Sequence, residues 1–253
     1  MKLKPSCNHI HKPPSLHLLF PMREDMYNIT LINTRHHNIG ECNAHALCQI
    51  LEHIKPEVIF EEIPPSYFDR YYIEKIHTNL EVEAISAYLI NHNVQHIPVD
   101  IDDIPSEAFF RDYQRAVERV LGLIDQNGFN YRCLVDASKR HAASYGFNYL
   151  NSNQYNTYIE ELRDAFEAGL EKINDDTLSL AYRSWNELSD RRENEMLQNI
   201  YNFSRNHTYN NAVFLLGAGH RKSIINKIQC WEGQAELKLN WSIHNGWLPE
   251  RES

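Results

Sequence analysis

The stretch from Asn211 to Ser223, NAVFLLGAGHRKS, constrains the fold of this chain more than any other. Its apolar run is typical of a strand buried on both faces, as in the parallel sheet of an α/β protein. The small residues Gly-Ala-Gly follow at once and let the backbone turn sharply and approach a ligand closely. His220 therefore stands at the carboxyl end of a predicted central strand, where α/β sheets bind their ligands. A glycine-rich turn with an incidental histidine is the alternative interpretation.

The first hundred residues repeat this arrangement three times. Strands are predicted at residues 28–33, 58–60 and 94–99, and helices at residues 41–54 and 80–92. The order strand, helix, strand, helix, strand is typical of a parallel sheet with right-handed crossovers. The three strands lead into His36, into Glu61 or Glu62, and into Asp100. His36 and His37 are expected to point in opposite directions, and we assign His36 to the crevice.

The middle of the chain has a different character. Long amphipathic segments at residues 107–124 and 155–173 flank a stretch rich in Gly, Asn and Tyr at residues 127–153. We interpret residues 105–187 as a helical insertion or cap that covers the crevice and shapes a substrate pocket. A helix at residues 190–205 then leads into the central strand. A last strand is predicted at residues 235–241, antiparallel or at an edge.

These elements predict an α/β fold with a central, mostly parallel sheet flanked by helices. The helical insertion separates two sheet-forming halves, residues 27–104 and 188–253. With 253 residues and 42% hydrophobic content, the chain is long enough for one α/β domain with a sizeable core. Residues 1–26, rich in His, Pro and Lys, are predicted to be a flexible leader.

Charge and cysteine content exclude several classes of protein. The 25 basic and 34 acidic residues give a formal charge of −9, which argues against nucleic acid as a partner. The five cysteines form no CxxC pair, so reduced thiols in the cytoplasm are expected. No apolar run approaches the roughly 20 residues that span a bilayer. A small-molecule or peptide substrate is the expected partner, and the sequence does not predict an oligomeric state.

Histidines and carboxylates at strand ends suit two kinds of chemistry. Imidazole and carboxylate together bind zinc, manganese or cobalt, which would lower the pKa of a bound water and polarise a carbonyl. Without a metal, a histidine and a glutamate act as general bases while an arginine binds an oxyanion. The sequence contains no GxSxG, HExxH, P-loop or GxGxxG motif, so the commoner hydrolase and nucleotide signatures are absent.

The order of these motifs resembles the TraB, PrgY, GumN and Tiki group, a superfamily that also takes in erythromycin-esterase-like and ChaN-like haem-binding proteins. The resemblance covers residues 28–103 and 188–230. His36 and His220 match its two histidines, and Glu62 matches its strand-end glutamate, with Glu61 as the neighbouring option. Arg192, four residues before a methionine, matches the arginine of its R-D/N-x-x-M motif.

The resemblance implies a hydrolase that cleaves an ester or amide bond, either metal-dependent as in the Tiki type or esterase-like. His36, Glu62 and His220 would be metal ligands or bases, and Arg192 would stabilise a tetrahedral intermediate. Asp100 is expected to orient one histidine, and Glu61 is a second supporting carboxylate.

Two departures from the family pattern keep other functions open. Asn33 stands where the family has glycine, and Glu193 stands where it has Asp or Asn. An inactive regulatory protein on the same scaffold is therefore one alternative. A module that binds haem or a peptide without turnover is the other.

Overall fold

The computed structural model describes residues 27–103 and 105–247, and the predicted leader at residues 1–26 lies outside them. Six strands form one sheet in the order β3-β2-β4-β1-β5-β6. They are β1 (Asn28–Thr34), β2 (Val58–Glu61), β3 (Gln95–Pro98), β4 (Asn211–Gly217), β5 (Asn240–Ile243) and β6 (Gly246–Trp247). The first five are mutually parallel, and β6 is antiparallel to β5. The predicted α/β fold with a mostly parallel central sheet is confirmed.

The described part of the chain contains eight α-helices. They are α1 (Ala44–Ile54), α2 (Phe68–Tyr72), α3 (Leu80–Leu89), α4 (Glu107–Leu121), α5 (Gln126–Leu150), α6 (Asn153–Ile173), α7 (Asp176–Asn206) and α8 (Arg221–Gln234). Most of the longer helices begin after a polar residue whose side chain accepts a first-turn N–H, as helix initiation favours. These capping residues are Asn43, Asn79, Ser106, Asp125, Ser152 and Asp175.

Both faces of the sheet are covered by helices, which explains why the central strands β2 and β4 are apolar over most of their length. On one face, β-strand residues such as Ile29 and Phe214 pack with Met196 and Ile200 of α7 and with residues of α8. On the other face, Ile32 and its neighbours pack with α1, α3 and the end of α5. Strand β4 lies between β2 and β1, so the central position predicted for it is confirmed.

Residues 107–173 form three long helices. The Gly- and Tyr-rich stretch at residues 127–153 was expected to lie between two helices, and most of it is itself a helix, α5. Together with the first part of α7 the three helices enclose a hydrophobic cluster of their own, which includes Val120, Phe166 and Leu178. The predicted boundary between residues 187 and 188 lies inside α7, which runs without a break from the insertion to the sheet.

A kink at Gly146 joins the insertion to the sheet. This residue has φ +54°, a conformation that favours glycine, and a Cβ there would lie 2.7 Å from the carbonyl oxygen of Glu41. Both the backbone conformation and the lack of space therefore require glycine. Beyond the kink, Asn151 bonds the backbone of Asn33 in β1: its Oδ1 accepts from the N–H at 2.8 Å, and its Nδ2 donates to the carbonyl at 3.0 Å.

A last strand is present, but the prediction was wrong in its bounds and in its direction. Residues 235–239 precede the strand, which begins at Asn240 and lies parallel to β1, with Asn240 opposite Asn28. The antiparallel edge is formed by the short β6 instead. Alternation of apolar residues indicated a strand but carried no information on its direction, because direction depends on where the preceding helix returns the chain. No helix among the described residues is long and apolar enough to cross a membrane.

Candidate active site

The carboxyl ends of three adjacent strands bring together the residues that the sequence singled out. His36 follows β1 and Glu62 follows β2. His220 is the last residue of the short 3₁₀ turn Ala218–His220, which follows β4. Because the sheet order is β2-β4-β1, these three residues lie at neighbouring strand ends. Arg192 approaches the same place from α7.

Glu62 lies at the centre of this group. Its Oε1 accepts a hydrogen bond from Arg192 Nη2 at 2.6 Å and lies 3.5 Å from His220 Nε2. Its Oε2 accepts from the backbone N–H of Gly217 at 2.6 Å. Burial acts to raise the pKa of Glu62, but the His220 hydrogen bond and the charges of His220, Arg192 and His36 outweigh it. The pKa of Glu62 therefore lies well below its usual range, and the group stays ionised.

Asp100 holds Arg192 in place. Both carboxylate oxygens accept from Arg192 Nε at 3.1 Å, and Oδ2 also accepts from Nη2 at 2.6 Å. Burial acts to lower the pKa of Arg192, but the Asp100 hydrogen bonds and the charge of Glu62 raise it above its ordinary value. Asp100 was predicted to orient a histidine, but the side chain that it orients is Arg192. The reason is the strand order, since β3 is separated by β2 from the strands that carry the histidines.

His220 is oriented by Glu193, the residue next to Arg192 on α7. Its Nδ1 lies 2.7 Å from Glu193 Oε1, while Ser223 Oγ donates to Glu193 Oε2 at 2.5 Å. Burial acts to lower the pKa of His220, but hydrogen bonds to Glu193 and Glu62 raise it to about 9. The protonated ring is therefore the favoured form of His220 at neutral pH, with an N–H on each ring nitrogen.

His36 has a separate carboxylate partner. Its Nδ1 lies 3.3 Å from Glu81 Oε1, which also accepts from Thr34 Oγ1 at 2.5 Å. The Glu81 hydrogen bond raises the pKa of His36 above its ordinary value, against the opposing effect of burial. The His36 side chain is 53% exposed, so it is open to solvent and ligand.

Gly217 brings His36 close to Glu62. A Cβ placed on Gly217 would lie 3.0 Å from Glu62 Oε2 and 3.7 Å from His36 Nε2. His36 is thus the member of the His36-His37 pair that reaches this group, as expected from the sequence.

Glu61 belongs to a neighbouring cluster. Its carboxylate accepts from the Tyr72 hydroxyl and lies 3.0 Å from His96 Nδ1. Burial raises the pKa of Glu61, against the effect of these two partners. It lines, together with His36, Glu62 and Glu81, a cavity of about 10 Å³, which is on the order of one water molecule.

The predicted metal ligands His36, Glu62 and His220 do not form a metal site in this arrangement. No group of three His, Cys, Asp or Glu side chains among the described residues is arranged to hold an ion. Arg192 and the Gly217 N–H each donate to one oxygen of Glu62, and the raised pKa of His220 favours the protonated ring, which has no lone pair for a metal. Haem and divalent metal stay predictions.

A cavity of about 860 Å³ opens above His220. Its floor includes Gly219, His220, Glu193 and Ser223, and its walls come mainly from α4, α5, α6 and α7. This volume falls in the range of small-molecule sites. The insertion therefore lines a cavity at the strand ends.

Sequence reasoning missed the contacts that two carboxylates, Glu81 and Glu193, make with the histidines of this group. Each is buried and lies on the apolar stripe of its helix: Glu81 shares a face with Ile85 and Tyr88, and Glu193 with Met196 and Leu197. An acidic residue at a core position of a helix is the signal that could have identified both, since buried carboxylates need a partner.

The two departures from the family pattern have structural accounts. Asn33 lies within β1 opposite Leu216 and is not among the residues with positive φ, so its backbone does not require glycine. Its side-chain amide is buried without a hydrogen-bond partner, which nothing in the structure explains. Glu193 supplies the carboxylate that orients His220.

No protein-family model matches the sequence, and no curated protein matches it. A solved structure of a mutant of the erythromycin esterase EreC in its open conformation is similar, with 12% sequence identity and a TM-score of 0.39. The match covers 87% of this chain and 69% of that chain. Likeness at this level carries no argument about the residues or the reaction of this chain.

Proposed function

We propose that this protein is a hydrolase that cleaves an ester or amide bond with water, using histidine and carboxylate groups rather than a bound metal. The observation that carries the proposal is the placement of two histidines around Glu62, each with its Nδ1 directed at a carboxylate of its own. Such a carboxylate partner fixes the tautomer and the orientation of an imidazole that transfers protons or stabilises charge.

His36 is the general base in this proposal. Glu81 engages Nδ1, which leaves Nε2 as the nitrogen that accepts a proton. A water molecule loses that proton to His36 Nε2 while its oxygen attacks the substrate carbonyl carbon. The tetrahedral intermediate then collapses, the bond to the alcohol or amine breaks, and the leaving group takes the proton from His36. The products are a carboxylic acid and an alcohol or amine.

His220 and Arg192 supply positive charge for the oxyanion of the tetrahedral intermediate. Both are fixed before substrate arrives, His220 by Glu193 and Arg192 by Asp100. Preorganised charges of this kind stabilise a transition state without further reorganisation. Glu62 holds the two cations side by side. The cavity of about 860 Å³ above His220 would hold the substrate.

A metal-assisted version is not part of this proposal, because the Glu62 carboxylate is already engaged by Arg192 and by the Gly217 N–H.

Hydrolysis of nitrophenyl esters and nitroanilides of varied size tests the proposal, with purified wild type, His36→Gln and His37→Gln compared. The His37 variant is a matched control because it makes the same change at the adjacent exposed position. We expect His36→Gln to lower kcat/KM by about 10²–10⁴-fold and His37→Gln to stay close to wild type. Equal activity of the two variants, or no hydrolysis by folded wild type across the panel, would overturn the proposal.

A further inference from the structure

The two ends of the large cavity differ in chemistry. Its floor carries His220 and Glu193 of the candidate active site, whereas its far walls are aromatic. The aromatic lining residues are Tyr113, Tyr131, Phe166, Tyr182 and Trp185, all from the helical insertion and the first part of α7. The hydrolytic chemistry proposed above makes no use of this aromatic end.

The aromatic residues form two packed groups. Tyr113 stacks on Trp185 with ring centroids 4.2 Å apart and an interplanar angle of 8°. Phe166 packs against Tyr182 at 4.9 Å and against Tyr131 at 5.3 Å. Burial raises the pKa of Tyr131, and burial raises the pKa of Tyr182 to about 12, so both phenols are neutral. Neutral aromatic rings present a negative face that attracts cations.

One carboxylate at this end has an unusual partner. Of the acidic residues that line the cavity, Glu160 contacts Lys222, Asp190 contacts Lys227, and Glu193 contacts His220. Glu167 instead accepts a hydrogen bond from the Tyr182 hydroxyl, with the two oxygens 3.2 Å apart. Among the ion pairs of the described residues none includes Glu167. Its negative charge therefore stands beside aromatic rings without a protein cation.

Arg163 is the other charged residue on this part of α6, one turn before Glu167. Its Nη2 lies 3.7 Å from Asp164 Oδ1, and both side chains are largely exposed. Arg163 therefore lies next to Asp164, its neighbour in sequence, and an exposed ion pair of this kind contributes little to stability.

The distance between the two ends follows from α7. Tyr182 and Glu193 are eleven residues apart on this helix, which corresponds to about 16 Å at 1.5 Å per residue. A ligand that reaches both ends is therefore elongated.

We propose that the aromatic end of the cavity binds an organic ammonium group, held by Glu167 and by the faces of the surrounding rings. That this ammonium group belongs to the substrate, with its ester or amide at the His220 end, rests on the proposed function. Ammonium binding itself does not.

Choline and neohexyl alcohol provide a matched pair of probes, since they have the same shape and a carbon replaces the charged nitrogen in the alcohol. Binding is followed by tryptophan fluorescence and by ligand NMR, and Trp185→Phe identifies which part of the fluorescence signal arises at the cavity. We expect choline to bind about tenfold more tightly than the alcohol. The Glu167→Gln variant should lose this difference, whereas Glu171→Gln, the same change at an exposed position one turn along α6 that does not line the cavity, should retain it.

Equal affinity for the two probes, or a preference for choline that Glu167→Gln leaves unchanged, would overturn the ammonium site. Because these measurements need no turnover, their failure is distinguishable from failure of the hydrolase proposal. Hydrolysis that depends on His36 without any choline preference would overturn the ammonium site alone. A preference for choline without any hydrolysis would support the ammonium site, but would overturn the proposal that the ammonium group belongs to a hydrolysed substrate.

Discussion

The backbone N–H of Gly217 donates to Glu62 Oε2 across 2.6 Å, which ties the end of the central strand to the carboxylate that Arg192 and His220 also contact. This bond depends on the absence of a side chain at residue 217, because a Cβ there would lie 3.0 Å from the same oxygen. The backbone is otherwise ordinary, with φ −52°. Close approach, and not backbone strain, is what requires glycine.

Gly217→Ala is therefore expected to displace Glu62 and the two cations that it holds. A shift of under 1 Å at this position should lower kcat/KM by about 10–100-fold, since catalytic geometry is that sensitive. The measurement is steady-state hydrolysis of the best ester from the panel. Gly219→Ala is the control, because nothing lies within 4 Å of a Cβ at that position. Similar losses in the two variants would contradict the geometric explanation.

The pH dependence of hydrolysis should report on Glu81. Its carboxylate raises the pKa of His36 by stabilising the protonated ring, and a general base acts in its deprotonated form. The rate is therefore expected to rise with pH, with a midpoint above the ordinary histidine value of about 6.5. In Glu81→Gln the midpoint should move to lower pH. Glu83→Gln, an exposed neighbour that contacts Asn38, should leave it in place; a shift of equal size there would argue against a local effect.

Asp100 and Asp103 offer a matched comparison of ion pairs. Asp100 is 3% exposed in its pair with Arg192, whereas Asp103 is 78% exposed in its pair with Arg191. Asp100→Ala leaves a half-buried guanidinium with Glu62 as its remaining carboxylate, and should lower the free energy of unfolding by about 3 kcal/mol. Asp103→Ala should lower it by about 1 kcal/mol or less. Urea unfolding measures both, and equal losses would refute the difference.

Stability should fall as pH rises through the titration of His220. Its pKa is about 9 in the folded protein, raised by Glu193 and Glu62 against the effect of burial, and about 6.5 when unfolded. The protonated ring therefore adds stability that is fully present below about pH 6.5 and is lost as pH rises through about 9. The loss is on the order of 3 kcal/mol.

The measurement is the free energy of unfolding at pH 6.5 and pH 9.5 for wild type and His220→Gln. Other groups titrate in this range in both proteins, so the difference between the two slopes isolates His220. Parallel slopes would show that its pKa is not raised.

Metal content is expected to stay well below one ion per chain in protein expressed without a histidine tag in metal-supplemented medium. Arg192 and the Gly217 N–H already donate to the two oxygens of Glu62, so a metal ion would have to compete with both contacts. Elemental analysis of wild type, His36→Ala and His220→Ala measures this. About one metal per chain in wild type that both variants lose would show that the site binds an ion, and would support the metal-dependent prediction.

Much of this site was predictable because strand ends are marked locally in the sequence. Apolar runs at residues 28–33, 58–60 and 212–216 identified buried strands, and parallel strands bring their carboxyl ends to one edge. The placement of His36, Glu62 and His220 at that edge follows from those two facts. The direction of β5 did not follow, because alternating apolar residues are compatible with either direction.

Pairing was decided by the tertiary structure. Glu62 and Arg192 are 130 residues apart, and whether Asp100 meets an arginine or a histidine depends on which strand lies between them. The carboxylates of Glu81 and Glu193 became partners of the two histidines only when α3 and α7 packed on the sheet. The sequence by itself determined which residues stand at the strand ends, since burial and periodicity are local properties. Only the tertiary structure decided their partners, and hence their charges, because hydrogen bonds and pKa shifts depend on contacts between segments far apart in the chain.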